Sequence, residues 1–216
     1  MNKETIKRIL SSLILIPILF FFVIKGSFFF VIFLSMCFLI TIYEWSKMSK
    51  KKEYFYPGFF FLIFSFYATY MLRNDGESNS SIMFLTVTLT CISTDIGGYI
   101  FGKLFKGPKL TAISPNKTYA GMIGGYILSI ICFNIFTNYS YLFEVGLVDF
   151  TPNIFIFVLI ISTVSQLGDL TVSYFKRLSK IKNTGTLIPG HGGLLDRIDG
   201  MIFAFPFAYI ISIILK

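Results

Sequence analysis

The chain has 216 residues, of which 55% are hydrophobic, 19% aromatic and only 14% charged. A soluble domain keeps about a quarter of its residues charged to coat its surface and would not spread 27 Phe through every segment, so the composition excludes a soluble single domain. The net charge of +8 would also suit nucleic acid, but it is distributed as in a basic membrane protein, and no nucleic-acid partner is expected.

A membrane span needs about 20 apolar residues. Seven stretches approach that length: Ile9 to Ile24, Phe28 to Tyr43, Pro57 to Leu72, Ile82 to Phe101, Tyr119 to Thr137, Ile154 to Phe175 and Leu194 to Leu215. The basic start before the first stretch has no small-residue cleavage site after it, so a retained first span is expected. When the loops are assigned alternately to two sides, one side collects 16 of the 19 cations, from Lys3, Lys7 and Arg8 through Lys47, Lys50–Lys52, Lys103, Lys106, Lys109 and Lys117 to Lys176, Arg177, Lys180, Lys182 and Arg197. The other side holds Lys25, Arg73 and Lys216 with Asp75, Glu77, Glu144 and Asp149. The expectation is therefore an all-α polytopic transmembrane bundle of about seven spans with a cytoplasmic N-terminus and an outer C-terminus, in the cytoplasmic (inner) membrane. No repeat or linker divides residues 1–216, which read as one integral membrane domain. Cys37, Cys91 and Cys132 sit in apolar runs without metal-ligand or redox spacing and read as packing residues.

Four of the eleven acids, Asp95, Asp169, Asp196 and Asp199, fall within or at the ends of spans. A charged side chain at membrane depth costs about 2.5 to 3.5 kcal/mol on insertion scales, so such groups face a partner or a polar cavity. Asp95 precedes Lys103 by eight residues, about 12 Å at helical rise, and Asp169 precedes Lys176 by seven. Asp196 and Asp199, three apart, share a helix face. Ser165, Asp169, Ser173 and Lys176, with Arg177 beside them, form a further stripe. Carboxylates of this kind suit Mg²⁺ shared with substrate phosphates, whose remaining charge Lys117, Lys176, Arg177, Lys182 and His191 would neutralise. The competing reading pairs Asp196 or Asp199 with Arg197 or Lys176 and makes them structural. Gly98 to Gly102 and Gly121 to Gly125 fit small-residue helix packing. The glycines around His191 let backbone amides approach an anion.

The run Ser173-Tyr-Phe-Lys176-Arg177, then Lys182, then Leu187-Ile-Pro-Gly-His191-Gly-Gly-Leu-Leu-Asp196-Arg197-Ile-Asp199 closely resembles the signature of the phosphatidate cytidylyltransferase family. Thr94-Asp95 with Gly98-Tyr99 and Phe101-Gly102-Lys103, Ser114-Pro-Asn-Lys117-Thr118 with Gly121 and Gly124-Gly125, and Gly168-Asp169-Leu170 are similar to the same family. Residues 91–216 thus form the expected catalytic half. Residues 1–90 carry no motif beyond a faint echo in Glu44-Trp45. Asn183 replaces the usual Asp after the lysine, keeping an oxygen ligand but losing a charge, and Ala120 replaces a usual Glu or Gln.

The resemblance implies synthesis of CDP-diacylglycerol and pyrophosphate from CTP and phosphatidic acid at the cytoplasmic face, with Mg²⁺. Asp169, Asp196 and Asp199 would be metal ligands and, with Lys176, the catalytic set. Asp95, Ser114, Lys117, Ser173, Arg177, Lys182, His191 and Arg197 would contact substrate. Partners would be CTP, phosphatidic acid and the bilayer, and a homodimer is compatible with such a bundle. The alternatives are a CTP-dependent polyprenol kinase, which would release CDP, and, from a different class, an ion-coupled transporter, which has no need of a clustered Lys-Arg-His face.

Overall fold

The structure is a computed structural model describing residues 22, 27–74, 80–139, 152–187 and 192–214. Seven helices follow in order: α1 (Ser27–Ser49), α2 (Phe55–Asn74), α3 (Ser80–Phe105), α4 (Tyr119–Tyr139), α5 (Pro152–Leu178), α6 (Leu195–Ile198) and α7 (Met201–Ile214). The first five are long and apolar enough to cross a membrane and match the second to sixth expected spans. The expected Ile9 to Ile24 span lies outside the described residues, apart from Phe22, which is helical.

The expected last span, Leu194 to Leu215, is not one helix. It breaks at Asp199–Gly200 into the four residues of α6 and the 14 of α7. At helical rise α7 covers about 21 Å, short of the roughly 30 Å hydrocarbon layer. The break has a local cause, because the Asp199 carboxylate accepts a hydrogen bond from the Gly200 amide at 3.0 Å, drawing that amide into a side-chain turn. A side chain at position 200 would also collide with the Ser165 hydroxyl.

The chain packs as two compact units, residues 1–66 with 176–198, and residues 67–175 with 199–216. In the first unit, α1 and α2 form a hairpin around Trp45. Its indole donates to the Phe55 carbonyl at 3.1 Å and lies over Gly58, where any Cβ would enter the ring. Lys51 takes a left-handed φ of 62° in the turn, which the Lys52 amide closes onto the Ser49 carbonyl at 2.9 Å.

In the second unit, α3 packs against α4 through glycines, as their spacing predicts. A Cβ on Gly97 would strike the Gly124 carbonyl, one on Gly121 would come within 2.7 Å of the Gly98 carbonyl, and one on Gly125 within 3.0 Å of that of Thr94. Helices in lipid gain little from hydrophobic association, so this close approach holds α3 to α4, and hydroxyl pairs join both to α5. Thr94 bonds Ser162 at 2.8 Å and Tyr126 bonds Thr163 at 3.0 Å. Thr118 caps α4, its hydroxyl accepting from the Gly121 amide at 3.1 Å. Phe84 stacks on Phe205 of α7 at 5.0 Å.

Alanine ordinarily favours a helix over glycine by about 1 kcal/mol. Here Gly97→Ala should instead destabilise by about 1 to 3 kcal/mol, the range for overpacking, and lower the thermal midpoint of the detergent-solubilised protein. Gly98→Ala, whose Cβ would meet only the Gly121 carbonyl at 3.7 Å, should be tolerated.

Candidate active site

The charged groups expected from sequence fall into clusters that each belong to one unit. In the first unit Lys176, at the end of α5, donates to Asp196 Oδ1 at 2.8 Å. Their side chains are only 9% and 5% exposed, which makes this a buried ion pair. Asp196 Oδ2 accepts two more bonds, from the Thr184 amide at 2.8 Å and the Gly193 amide at 3.0 Å, and the Thr184 hydroxyl, which it shares with Glu44, lies 3.1 Å away. The ion-pairing reading of Asp196 therefore holds for its Oδ1 atom.

Glu44, near the end of α1, is a second buried carboxylate in the same unit, at 3% exposure. Its oxygens accept from the Leu194 amide at 3.0 Å, the Leu195 amide at 2.8 Å and the Thr184 hydroxyl at 3.0 Å. The amides of Gly193, Leu194 and Leu195 are thus taken by carboxylates of the chain itself. This explains the glycines: a Cβ on Gly193 would lie 2.5 Å from Glu44 Oε2, one on Gly185 2.7 Å from Oε1, and one on Gly192 2.8 Å from Asp196 Oδ2. Gly192 also has a φ of 92°, a left-handed conformation that favours glycine.

In the second unit Lys117 pairs with Asp169 Oδ2 at 2.5 Å, and the Ser173 hydroxyl, one turn along α5, donates to Oδ1 at 3.2 Å. Both charged side chains keep about a quarter of their surface exposed, 26% and 25%, so the pair can be reached from outside the protein. Lys117 is held by a compact loop in which the Leu110 amide donates to the Lys117 carbonyl at 2.8 Å and the Lys117 amide to the Ser114 carbonyl at 3.0 Å. The Ser114 amide donates to the Thr111 hydroxyl at 3.2 Å, so the residue's backbone shapes this loop.

Asp199 is buried at 6% exposure, and its carbonyl lies against Gly168, next to Asp169, where a Cβ would come within 3.0 Å of it. Asp199 and Asp95 both lie within electrostatic reach of Cys91. Asp95 itself is exposed, on a face of α3 that also presents Ile96 and Tyr99. Arg177, Lys182 and Arg197 are exposed, and Arg177 donates to the Ile181 carbonyl at 3.2 Å. His191 lies outside the described residues.

The donor set is carboxylate and hydroxyl oxygen, which suits a hard cation such as Mg²⁺ and not a thiophilic metal. Among the described residues no three His, Cys, Asp or Glu side chains gather closely enough to hold a metal ion on their own. Asp169 and Asp199 fit the commoner Mg²⁺ pattern, in which one or two carboxylates are completed by water and substrate phosphate.

These features define a polytopic helical membrane protein whose carboxylates are matched to lysines, hydroxyls and backbone amides. The chain belongs to the cytidylyltransferase family, whose model matches residues 6–81 and 70–215. It is 38% identical over 190 residues to a phosphatidate cytidylyltransferase of Staphylococcus haemolyticus, covering 83% of this chain and 68% of that protein. Proteins of the same name from Staphylococcus aureus and Staphylococcus saprophyticus are 37% and 36% identical over the same shares.

Glu44 and Thr184 were missing from the sequence-derived site. Glu44 reads as one more acid beside the loop lysines. The available signal was its place in an apolar run immediately before the single Trp.

Removing one partner of a buried ion pair leaves the other charge uncompensated, at a cost of about 3 to 5 kcal/mol. Lys176→Met should therefore lower the thermal midpoint sharply, and adding Asp196→Asn in the same chain should recover part of the loss.

Proposed function

We propose that the protein transfers the cytidylyl group of CTP to phosphatidic acid, forming CDP-diacylglycerol and pyrophosphate at the cytoplasmic face of the cell membrane. It would do so from a bundle of about seven spans with its N-terminus inside. The observation that carries this reading is the Lys117–Asp169–Ser173 cluster, a reachable cation, carboxylate and hydroxyl on apolar helices, in a chain of the cytidylyltransferase family. The names of the staphylococcal relatives support the same reaction.

An oxygen of the lipid phosphate attacks the α-phosphorus of CTP. The new P–O bond forms as the bond from that phosphorus to the bridging oxygen breaks, and the electron pair leaves with pyrophosphate. A phosphate monoester is already largely ionised near neutral pH, so the nucleophile requires no general base. The chain's task is positioning and charge compensation.

Lys117 exchanges its contact with Asp169 for a phosphate oxygen, and Ser173 donates its hydroxyl to the same group. Lys176 and Arg177 absorb charge that builds on the leaving pyrophosphate, while Ser114, Lys182, His191, Arg197 and Asp95 line the approach of the two substrates. Asp169 and Asp199 would offer carboxylate oxygens for Mg²⁺, completed by water and substrate phosphate, while Asp196, whose oxygens are occupied by Lys176 and backbone amides, would hold Lys176 in place. When bound, the ion would supply neutralisation of the charge that develops on the phosphate oxygens.

In a detergent assay with CTP, phosphatidic acid and Mg²⁺, pyrophosphate and CDP-diacylglycerol should appear together, and chelation of Mg²⁺ should stop both. CDP as the nucleotide product would instead identify a CTP-dependent lipid kinase, and ion flux without nucleotide would identify a transporter. Asp199→Asn should lower kcat by about 100-fold or more, as loss of a ligand in a charge-compensating site does, while the protein remains inserted and monodisperse. Turnover close to wild type in that variant would refute the assignment of Asp199.

A further inference from the structure

The Thr184 hydroxyl stands between two buried carboxylates, 3.0 Å from Glu44 Oε2 and 3.1 Å from Asp196 Oδ2. It has a single proton to donate, so its orientation couples the two. Glu44 also accepts from the Leu194 and Leu195 amides, and Asp196 from the Thr184 and Gly193 amides. The segment bearing Asp196 is thus gripped from both sides by a carboxylate 140 residues or more earlier in the chain, the separation of Glu44 from Thr184 and Leu194. Glu44 is near the end of α1, in the part of the sequence without motif.

We infer that Glu44 is a positioning residue for the transfer reaction, acting through Thr184 and the Gly193–Leu195 turn to fix the orientation of Asp196 and, through it, the Lys176 ammonium. The inference rests on the cytidylyltransferase reading proposed above. Glu44 has the chemistry this requires: it accepts from two backbone amides of fixed direction and presents an oxygen to the rotatable Thr184 hydroxyl. An amide side chain cannot replace it. Gln has one acceptor oxygen, and its NH₂ group would face the Leu194 amide, or the Leu195 amide and Thr184. Glutamate at this position is also enclosed so closely by Gly185 and Gly193 that neither can carry a side chain.

The test compares Glu44→Gln, Thr184→Val and Thr184→Ser in the full chain, with kcat expressed per folded molecule from the monodisperse fraction. Loss of support behind a catalytic group typically costs 10- to 100-fold in activity. Glu44→Gln and Thr184→Val should therefore each lower kcat by about 10- to 100-fold. KM for CTP should stay within about twofold, because no ground-state contact is removed. Thr184→Ser, which keeps the hydroxyl, should recover most of what Thr184→Val loses. A merely structural role would lower the folded fraction and leave kcat per folded molecule unchanged. Wild-type kcat in either folded variant, a loss confined to KM, or failure of serine to recover activity overturns the inference. Should Glu44→Gln not fold, the two Thr184 variants decide it alone. Absence of CDP-diacylglycerol formation by the wild-type protein overturns the underlying reading instead.

Discussion

The structure depends on how an apolar protein keeps carboxylates where lipid and protein exclude water. A buried carboxylate without donors is far costlier than any single contact can offset, so each must be matched by the chain itself. Asp196 is matched by a lysine and two amides, and Asp169 by a lysine and a hydroxyl. Glu44 is matched by two amides, and the one proton of the Thr184 hydroxyl lies between Glu44 and Asp196. These solutions differ in reach. The Lys117–Asp169 pair stays partly exposed, whereas Asp196 and Glu44 are locked into backbone.

That locking dictates the local sequence. The glycines at 185, 192 and 193 stand where a Cβ would crowd the oxygens of Glu44 or Asp196, and Gly193 also donates its amide to Asp196. Close approach operates at larger scale between α3 and α4, where glycine replaces side chains so that backbone can meet backbone. Glycine therefore serves two purposes here, bringing helices together in the second unit and leaving room for buried carboxylates in the first.

Much of this was legible in the residues. Five apolar stretches, each with a lysine near at least one end, became the five long helices, and the Gly98, Gly121 and Gly125 spacing marked a packing face. Asp169, Asp196 and Asp199 stood out because acids are rare in such segments. What escaped depends on contacts between distant residues. Glycine at position 200, where the last span breaks, is required by Ser165, which lies 35 residues earlier, and no local pattern exposes that contact. The glycines around His191 read as a place for an external anion, and the described amides at Gly193, Leu194 and Leu195 meet Asp196 and Glu44, the latter about 150 residues away from its donors. Asp95 matched the depth of the other acids by counting along a helix, but counting does not give the face, and its face of α3 is exposed.

The reading of this protein as an enzyme acting on a lipid phosphate needs Asp196 to be held by the chain's own amides and not left as a mobile side chain. Hydrogen–deuterium exchange of the protein in detergent micelles measures this directly. The amides of Thr184, Gly193, Leu194 and Leu195 should exchange far more slowly than those of the exposed Thr186 and Leu187 beside them. Exchange of all of these amides at one common fast rate would contradict the account.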